Sequence, residues 1–371
     1  RLRQPGDQSE RRALTGSSGS GSMNARTALV SSRPGAALYA RALADLPPSV
    51  VGLEARLLEL AIFPVKGLGA VRLLRARIEH HGLVDPASGL ADRGVMLAAR
   101  RPGETPDGEA YDALGLANRN EATLALARAF LEDGALVYDA RGLTPLRLAP
   151  ASLAPASAGK RIRVKLPYAG GPVIEGIVDD GPLATWVRDL LRVHPAQRRY
   201  DVRDVVAVRA ADDHRRSVAE RHLAGQDAQT LFGDGAHALV ASASTLTWMN
   251  DGLVAEGQRA IAMEAFRPNI ILQGLPPNAE DVIGEAHVDA EGGLVRLVFS
   301  SLCVRCDATR VDYTTGARPD TQPLAWLARN RPPRDEDANA ATFAINAVFP
   351  RAADGRILRP NDVVRIVSER T

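Results

Sequence analysis

The chain has 371 residues, 45% of them hydrophobic and 24% charged, with a formal net charge of +2. That length accommodates two packed domains, and so small a charge surplus excludes a polycationic nucleic-acid or membrane-surface binder. There is no run of about 18 apolar residues, so no membrane-spanning helix is expected, and two cysteines are too few for a disulfide-stapled scaffold or a four-cysteine zinc site. A reducing, cytoplasmic setting is expected. The basic residues are almost all arginine; Lys66, Lys160 and Lys165 are the three lysines.

Taken in order, residues 1–52 read as a disordered or tag-like tail. Gly16 to Ser22 is linker-like, and Met23 is a plausible true start. The absence of acids between Glu10 and Asp45 has a faint transit-peptide character, so organelle targeting stays open as a minor alternative. Order is expected near Leu53. The apolar run Leu57 to Phe63 stops at Pro64-Val65-Lys66-Gly67 and predicts a buried strand. Val71 to Ile78 and Val95 to Ala99 predict further strands. Glu121 to Leu131 mixes helical alanines with evenly spaced Leu124, Leu126 and Phe130, and is read as strand. Asp133-Gly134 then signals a hairpin into Ala135 to Tyr138.

Gly181-Pro182 marks a helix start, followed by Leu183, Trp186, Val187, Leu190 and Leu191 at helical spacing. The Arg/Asp-rich stretch Arg198 to Asp213 reads as a junction between domains. Ser242 to Leu253 predicts a helix, and Ala262 to Gln273, containing Phe266-Arg267-Pro268-Asn269, predicts an apolar strand. A further strand, Leu294 to Leu302, leads into the cysteine pair. Pro323 to Arg329 predicts a short helix and Val363 to Val367 a closing strand. The fold class expected is mainly β with some α.

Both cysteines lie in Ser301-Leu302-Cys303-Val304-Arg305-Cys306-Asp307. Four readings of the pair compete. A thioredoxin-like dithiol needs a helix N-terminus, whereas β-branched Thr309 and Val311 predict extended structure after Cys306. Half of a zinc site needs histidines at ligand spacing, which the sequence does not place nearby. The pair also fits two small buried residues at a strand end, or a soft thiolate holding a metal or a sulfur-rich cofactor with Arg305 beside it for an anion.

Motifs elsewhere bear on the choice. Cys303-x-Arg305-Cys306 with Thr309, Val311-Asp312 and Gly316, preceded by Phe266-Arg267-Pro268-Asn269-Ile270, resembles the MOSC family, the C-terminal domain of molybdenum-cofactor sulfurases. In the family's order stand also Phe63-Pro64-Val65-Lys66-Gly67, Asp92-Arg93, Asp180-Gly181 with Trp186, Asp234-Gly235, Ser242 with Ser244 and Leu246, Asn250, Gly355-Arg356-Ile357 and Asn361-Asp362-Val363. The resemblance spans roughly residues 53–369 and is similar to the mitochondrial amidoxime-reducing component and its bacterial relatives. It implies a MOSC N-terminal β-barrel domain over residues 53–200 and a MOSC-type β-barrel domain over 201–371.

It further implies a molybdenum–molybdopterin cofactor with Cys306 as protein ligand to the metal. Lys66, Arg93, Arg267, Asn269 and Arg305 would hold the pterin and its phosphate, and Asp234 would be a carboxylate for proton delivery. Cys303 is left structural or unassigned. Three departures stand out: Gly67 where relatives often carry serine, His237 where a proline is common, and Arg310 for a threonine. A histidine at 237 would titrate near neutrality and join proton transfer. The activity implied is reduction of N-hydroxylated or N-oxide small molecules with electrons from a separate flavin or iron–sulfur protein. The alternatives are a sulfur carrier with a persulfide on Cys306, a cofactor-storage module without turnover, and, least favoured, a pyridoxal-phosphate enzyme with Lys66 as Schiff base.

Overall fold

The alternation in Glu54–Ile62 buries Ala55 and Leu57 and exposes Glu54, Arg56 and Leu58. A strand apolar on one face needs partners on both edges and a core beneath it, and it finds them far away in sequence. In the computed structural model, which describes residues 37–168, 171–214, 216–318, 323–331 and 341–370, Glu54–Ile62 pairs with Ile270–Gln273 on one side and Val363–Glu369 on the other. The ring continues through Ala238–Ser242, Thr342–Val348, Gly293–Val304 and Ile283–Ala290 and returns to Val363–Glu369, a closed barrel of seven strands. All its pairs are antiparallel except Ala238–Ser242 with Ile270–Gln273. Closure leaves no unpaired edge.

A second ring closes through Val95–Glu104, Ala110–Leu116, Arg161–Lys165, Val173–Asp179 and Val205–Arg209, with the short strand Val65–Lys66 added parallel to Val95 and Met96. Helix Pro182–Val193 begins at the predicted proline and buries all five of the predicted apolar residues. Its Trp186 indole donates to the Thr144 carbonyl at 2.9 Å. The mainly-β expectation holds, with four α-helices among the described residues. Strand membership crosses the boundary placed between residues 200 and 201: Glu54–Ile62 belongs to the seven-strand barrel, and Val205–Arg209 to the smaller one. Among the described residues, no helix is long and apolar enough to cross a membrane.

Several local expectations change. Packed structure begins before Leu53, with helix Ala37–Ala44, whose Tyr39 and Leu43 are buried. Two core contacts at i and i+4 in an Ala/Arg-rich setting leave little periodic signal. The linker Gly16 to Ser22 and Met23 lie outside the described residues. Glu121 to Leu131 divides into a 3-10 turn, Ala122–Leu126, started by the Glu121 side chain, and a strand, Arg128–Glu132. Asp133 and Gly134 form the expected hairpin turn, both with positive φ. Arg198 to Asp213 is no junction: its flanking charges conceal Val205–Arg209, which is largely buried in the small barrel. The segment after Cys306 is a 3-10 turn, Asp307–Arg310, rather than extended; the Thr309 hydroxyl folds back onto the Cys306 carbonyl at 2.9 Å.

Candidate functional site at the joint of the two barrels

The chain passes from one barrel to the other in two residues, Phe63 and Pro64, so Lys66 leaves the small barrel beside the end of the large one. Asp92 fixes the joint by accepting from the Phe63 amide at 2.8 Å, and the Arg93 amide donates to the Phe63 carbonyl at 2.8 Å. Arg93 takes positive φ and forms an ion pair with Asp92. Two guanidiniums bear on the Phe63 ring, Arg93 at 5.0 Å and Arg267 at 4.0 Å from the centroid. Gly67 follows with φ +96°, and a Cβ there would lie 3.1 Å from Leu124 Cδ1. Glycine at this departure from the family pattern is therefore required by the backbone. Gly67→Ser is expected to lower the urea midpoint, at a cost of about 1–3 kcal/mol.

The Lys66 ammonium is buried and donates to the Phe232 carbonyl at 2.8 Å and to Asp234. Burial pushes Lys66 down to about 8, with Asp234 acting in the opposite direction. Burial would raise Asp234, but Lys66 and Arg119 outweigh it and hold the carboxyl at about 2. The balance differs because Lys66 has one carboxylate partner against the nearby Arg93 and Arg216, whereas Asp234 faces Lys66, Arg119 and Arg93 together. Asp234 thus stands as the counter-ion of Lys66 and Arg119. Loss of the Lys66 charge through about pH 8 is expected to weaken pyrophosphate binding roughly tenfold between pH 7 and pH 9. Titration calorimetry would show it, and the dependence should flatten in Lys66→Met.

Across the joint, Arg267 also takes positive φ and donates to the Leu68 carbonyl at 2.8 Å. Asn269 is buried, and its amide is committed to the scaffold. Its Oδ1 accepts from the Leu239 amide at 3.1 Å and from Arg93 at 3.4 Å, and its Nδ2 donates to the Ala61 carbonyl at 3.1 Å. It thus positions Arg93 by clamping three barrel strands. Arg305 donates to the Phe266 carbonyl at 2.8 Å and to Cys303 Sγ at 2.8 Å. Cys303 accordingly orients Arg305, while Cys306 stands partly exposed at the start of the turn Asp307–Arg310. Contacts thus join Lys66 to Asp234, and Arg93 to Asn269 and, across the Phe63 ring, to Arg267; Arg305 reaches the carbonyl of Phe266, the neighbour of Arg267, and Cys306 follows Arg305 in sequence.

Two buried polar atoms at this site have no hydrogen-bond partner, Arg305 Nε and Asn118 Oδ1. Asn118 Oδ1 faces Gly67, 3.4 Å from the position a Cβ would take. Orphaned buried groups call for a ligand or water. A donor on a cation and an acceptor beside Gly67, among Lys66, Arg93 and Arg267, fit an anionic molecule with N–H groups of its own, as a phosphorylated pterin has.

The sequence reading missed four contributors. Arg119 pairs with Asp234 at 3.0 Å, and Arg216 holds the Leu231 carbonyl at 3.2 Å and that of Gly233. Nothing distinguishes these arginines locally from the rest. Ser301 and His222 form the other pair, with Oγ to Nδ1 at 2.6 Å. Arg221 donates to His222 Nε2 at 3.1 Å, so the neutral ring carries its proton on Nδ1 and donates to Ser301. Asn346 Nδ2 also donates to Ser301 Oγ, at 3.2 Å. The serine hydroxyl is left as an oriented donor. His237, expected to titrate near neutrality, is buried and spans the His80 carbonyl and the Phe349 amide. Burial holds it down to about 4, so it takes no part in proton transfer at neutral pH.

Residues 227–364 match the family model of the MOSC domain. The match contains Asp234, Arg267, Asn269, Arg305 and Cys306, while Lys66 and Arg93 lie outside it. No curated protein matches the chain in sequence.

Proposed function

Since residues 227–364 belong to the MOSC domain family, which is linked to the molybdenum cofactor, we propose that the chain is a molybdenum-cofactor oxidoreductase acting on N-hydroxylated or N-oxide small molecules. The observation that carries this reading is the orphaned Arg305 Nε, buried beside Cys306 in a cleft that also holds Lys66, Arg93 and Arg267. When bound, the cofactor supplies removal of oxygen from nitrogen: two electrons and two protons enter, the N–O bond breaks, and water leaves. The electrons come from a separate flavin or iron–sulfur protein.

The chain's own residues hold and orient. Cys306 offers a soft thiolate to the metal. Lys66, Arg93, Arg267 and Arg305 supply positive charge for the phosphate, Arg267 also bearing on Phe63 and Arg305 on the Phe266 ring. Asp234 keeps Lys66 charged and in place. Ser301 presents its hydroxyl from the strand that ends at Val304 and serves as a hydrogen-bond donor toward the substrate side.

The test is metal analysis with pterin fluorescence after oxidative release, on protein from a host competent in cofactor synthesis, followed by turnover of benzamidoxime with a reduced viologen. Near-stoichiometric molybdenum and pterin with amidine formation support the reading. Absence of both molybdenum and pterin refutes it and favours the persulfide carrier on Cys306, which cold cyanolysis would detect as labile sulfur.

A further inference from the structure

A cavity of about 1240 Å³ lies beside the basic cluster. None of Cys306, Lys66, Asp234 and Arg267 lines it, although Phe63 and the turn residues Thr309 and Arg310 do. Its floor is apolar, with Ala127 and Ala129 on one side and Ile261, Met263 and Ile271 on the other. Ligand pockets have this character, a mostly apolar wall with a few placed polar groups.

The charges around it cancel. Arg72 pairs with Glu59 at 3.2 Å and Glu264 at 2.9 Å, Arg128 with Asp139, and Arg259 with Asp312 at 3.0 Å. Arg310 completes four arginines against four carboxylates and reaches outward to Asp307 at 3.3 Å. No wall charge is left over for an ionic ligand. Two uncharged demands remain, since Arg310 Nε and Gln258 Oε1 are both buried, both line the cavity and both lack a partner. The Gln258 amide nitrogen faces Glu256 at 3.1 Å, which leaves its oxygen as the unpartnered atom of a cavity-lining residue. The lining therefore includes an unpartnered donor and an unpartnered acceptor among apolar residues.

We propose that this cavity binds a neutral amphipathic molecule, an apolar body ending in a carboxamide-type head. Arg310 Nε donates to the head's carbonyl, and Gln258 Oε1 accepts from its N–H. The body lies over Ala127, Ala129 and Ile271. The site is independent of the molybdenum reading and is tested on cofactor-free full-length protein.

Titration calorimetry with octanamide, octanoate and octylamine decides it. Octanamide is expected to bind saturably and at least tenfold tighter than either charged analogue. Gln258→Leu and Arg310→Met should each weaken it about fivefold, the worth of one hydrogen bond. Ala129→Phe, which fills the floor, should weaken it at least tenfold at an unchanged melting temperature. If Ala129→Phe fails to fold, the Gln258→Leu result carries the test. The proposal is overturned by the absence of saturable binding up to the solubility of octanamide, by a preference for octanoate or octylamine, or by affinities that none of the folded variants changes.

Discussion

Cys306→Ala protein is expected to purify with at least tenfold less molybdenum than wild type and to lose benzamidoxime reduction by at least a hundredfold. The thiolate is the soft donor the chain offers at the cleft, and alanine offers none. The melting temperature should barely change, because Cys306 is partly exposed at the start of a single turn and supports no core cluster. Pterin should fall less than metal, since Lys66, Arg93, Arg267 and Arg305 remain to hold the phosphate. Cys303→Ala makes the control. It removes the sulfur that orients Arg305 and should leave molybdenum above half of wild type while weakening pterin retention. Metal retained in Cys306→Ala and lost in Cys303→Ala would reverse the assignment.

Arg331→Met is expected to cost about 3–5 kcal/mol, the range for breaking a buried ion pair by removing one partner. Arg331, Glu280 and Asp281 are all fully buried. The guanidinium contacts Asp281, the Asn278 side-chain carbonyl at 2.9 Å and the Thr342 carbonyl at 2.8 Å, with Glu280 at 3.8 Å. Tyr39 donates to the other Asp281 oxygen at 2.7 Å, and Thr245 donates to Glu280 at 2.8 Å. One arginine thus ties helix Ala37–Ala44, helix Leu324–Asn330 and the start of strand Thr342–Val348 together.

Burial, with Asp281 adding to it, raises Glu280 to about 7 even with Arg331 present. A carboxyl raised above its unfolded value contributes stability at low pH that is lost as pH rises through its folded value. Without Arg331 the Glu280 shift grows, so the deficit of Arg331→Met should be larger at pH 8 than at pH 5. Urea denaturation at the two pH values measures both effects. A cost below 1 kcal/mol, or a deficit that grows toward low pH, would contradict this account.

Much of the architecture is written in local pattern. Strand Glu54–Ile62 shows itself by its apolar run and by the Pro64 stop, helix Pro182–Val193 by its proline and the spacing of Leu183, Trp186, Val187 and Leu190, and the hairpin by Asp133-Gly134. The reactive chemistry is equally local, because Cys303, Arg305 and Cys306 stand together in sequence. Patterns of this kind report which face of an element is apolar and where its backbone must turn. They carry no information about which edge meets which.

The tertiary structure decided the rest. Glu54–Ile62 closes a barrel whose other strands begin at residue 238, and Val205–Arg209 hides its apolar face behind flanking arginines and aspartates. Lys66 and Asp234 meet across 168 positions of sequence, which changes the state of each: a buried amine near its titration point, and a carboxylate held ionised by its cationic neighbours. His237 turns from an expected proton carrier into a buried brace, and Tyr39 reaches Asp281 from a segment whose composition reads as tail. Sequence determined the elements and the reactive residue types, because propensity, periodicity and side-chain chemistry are properties of neighbours along the chain. Burial and charge partners set protonation and role, and those exist only once the barrels have closed.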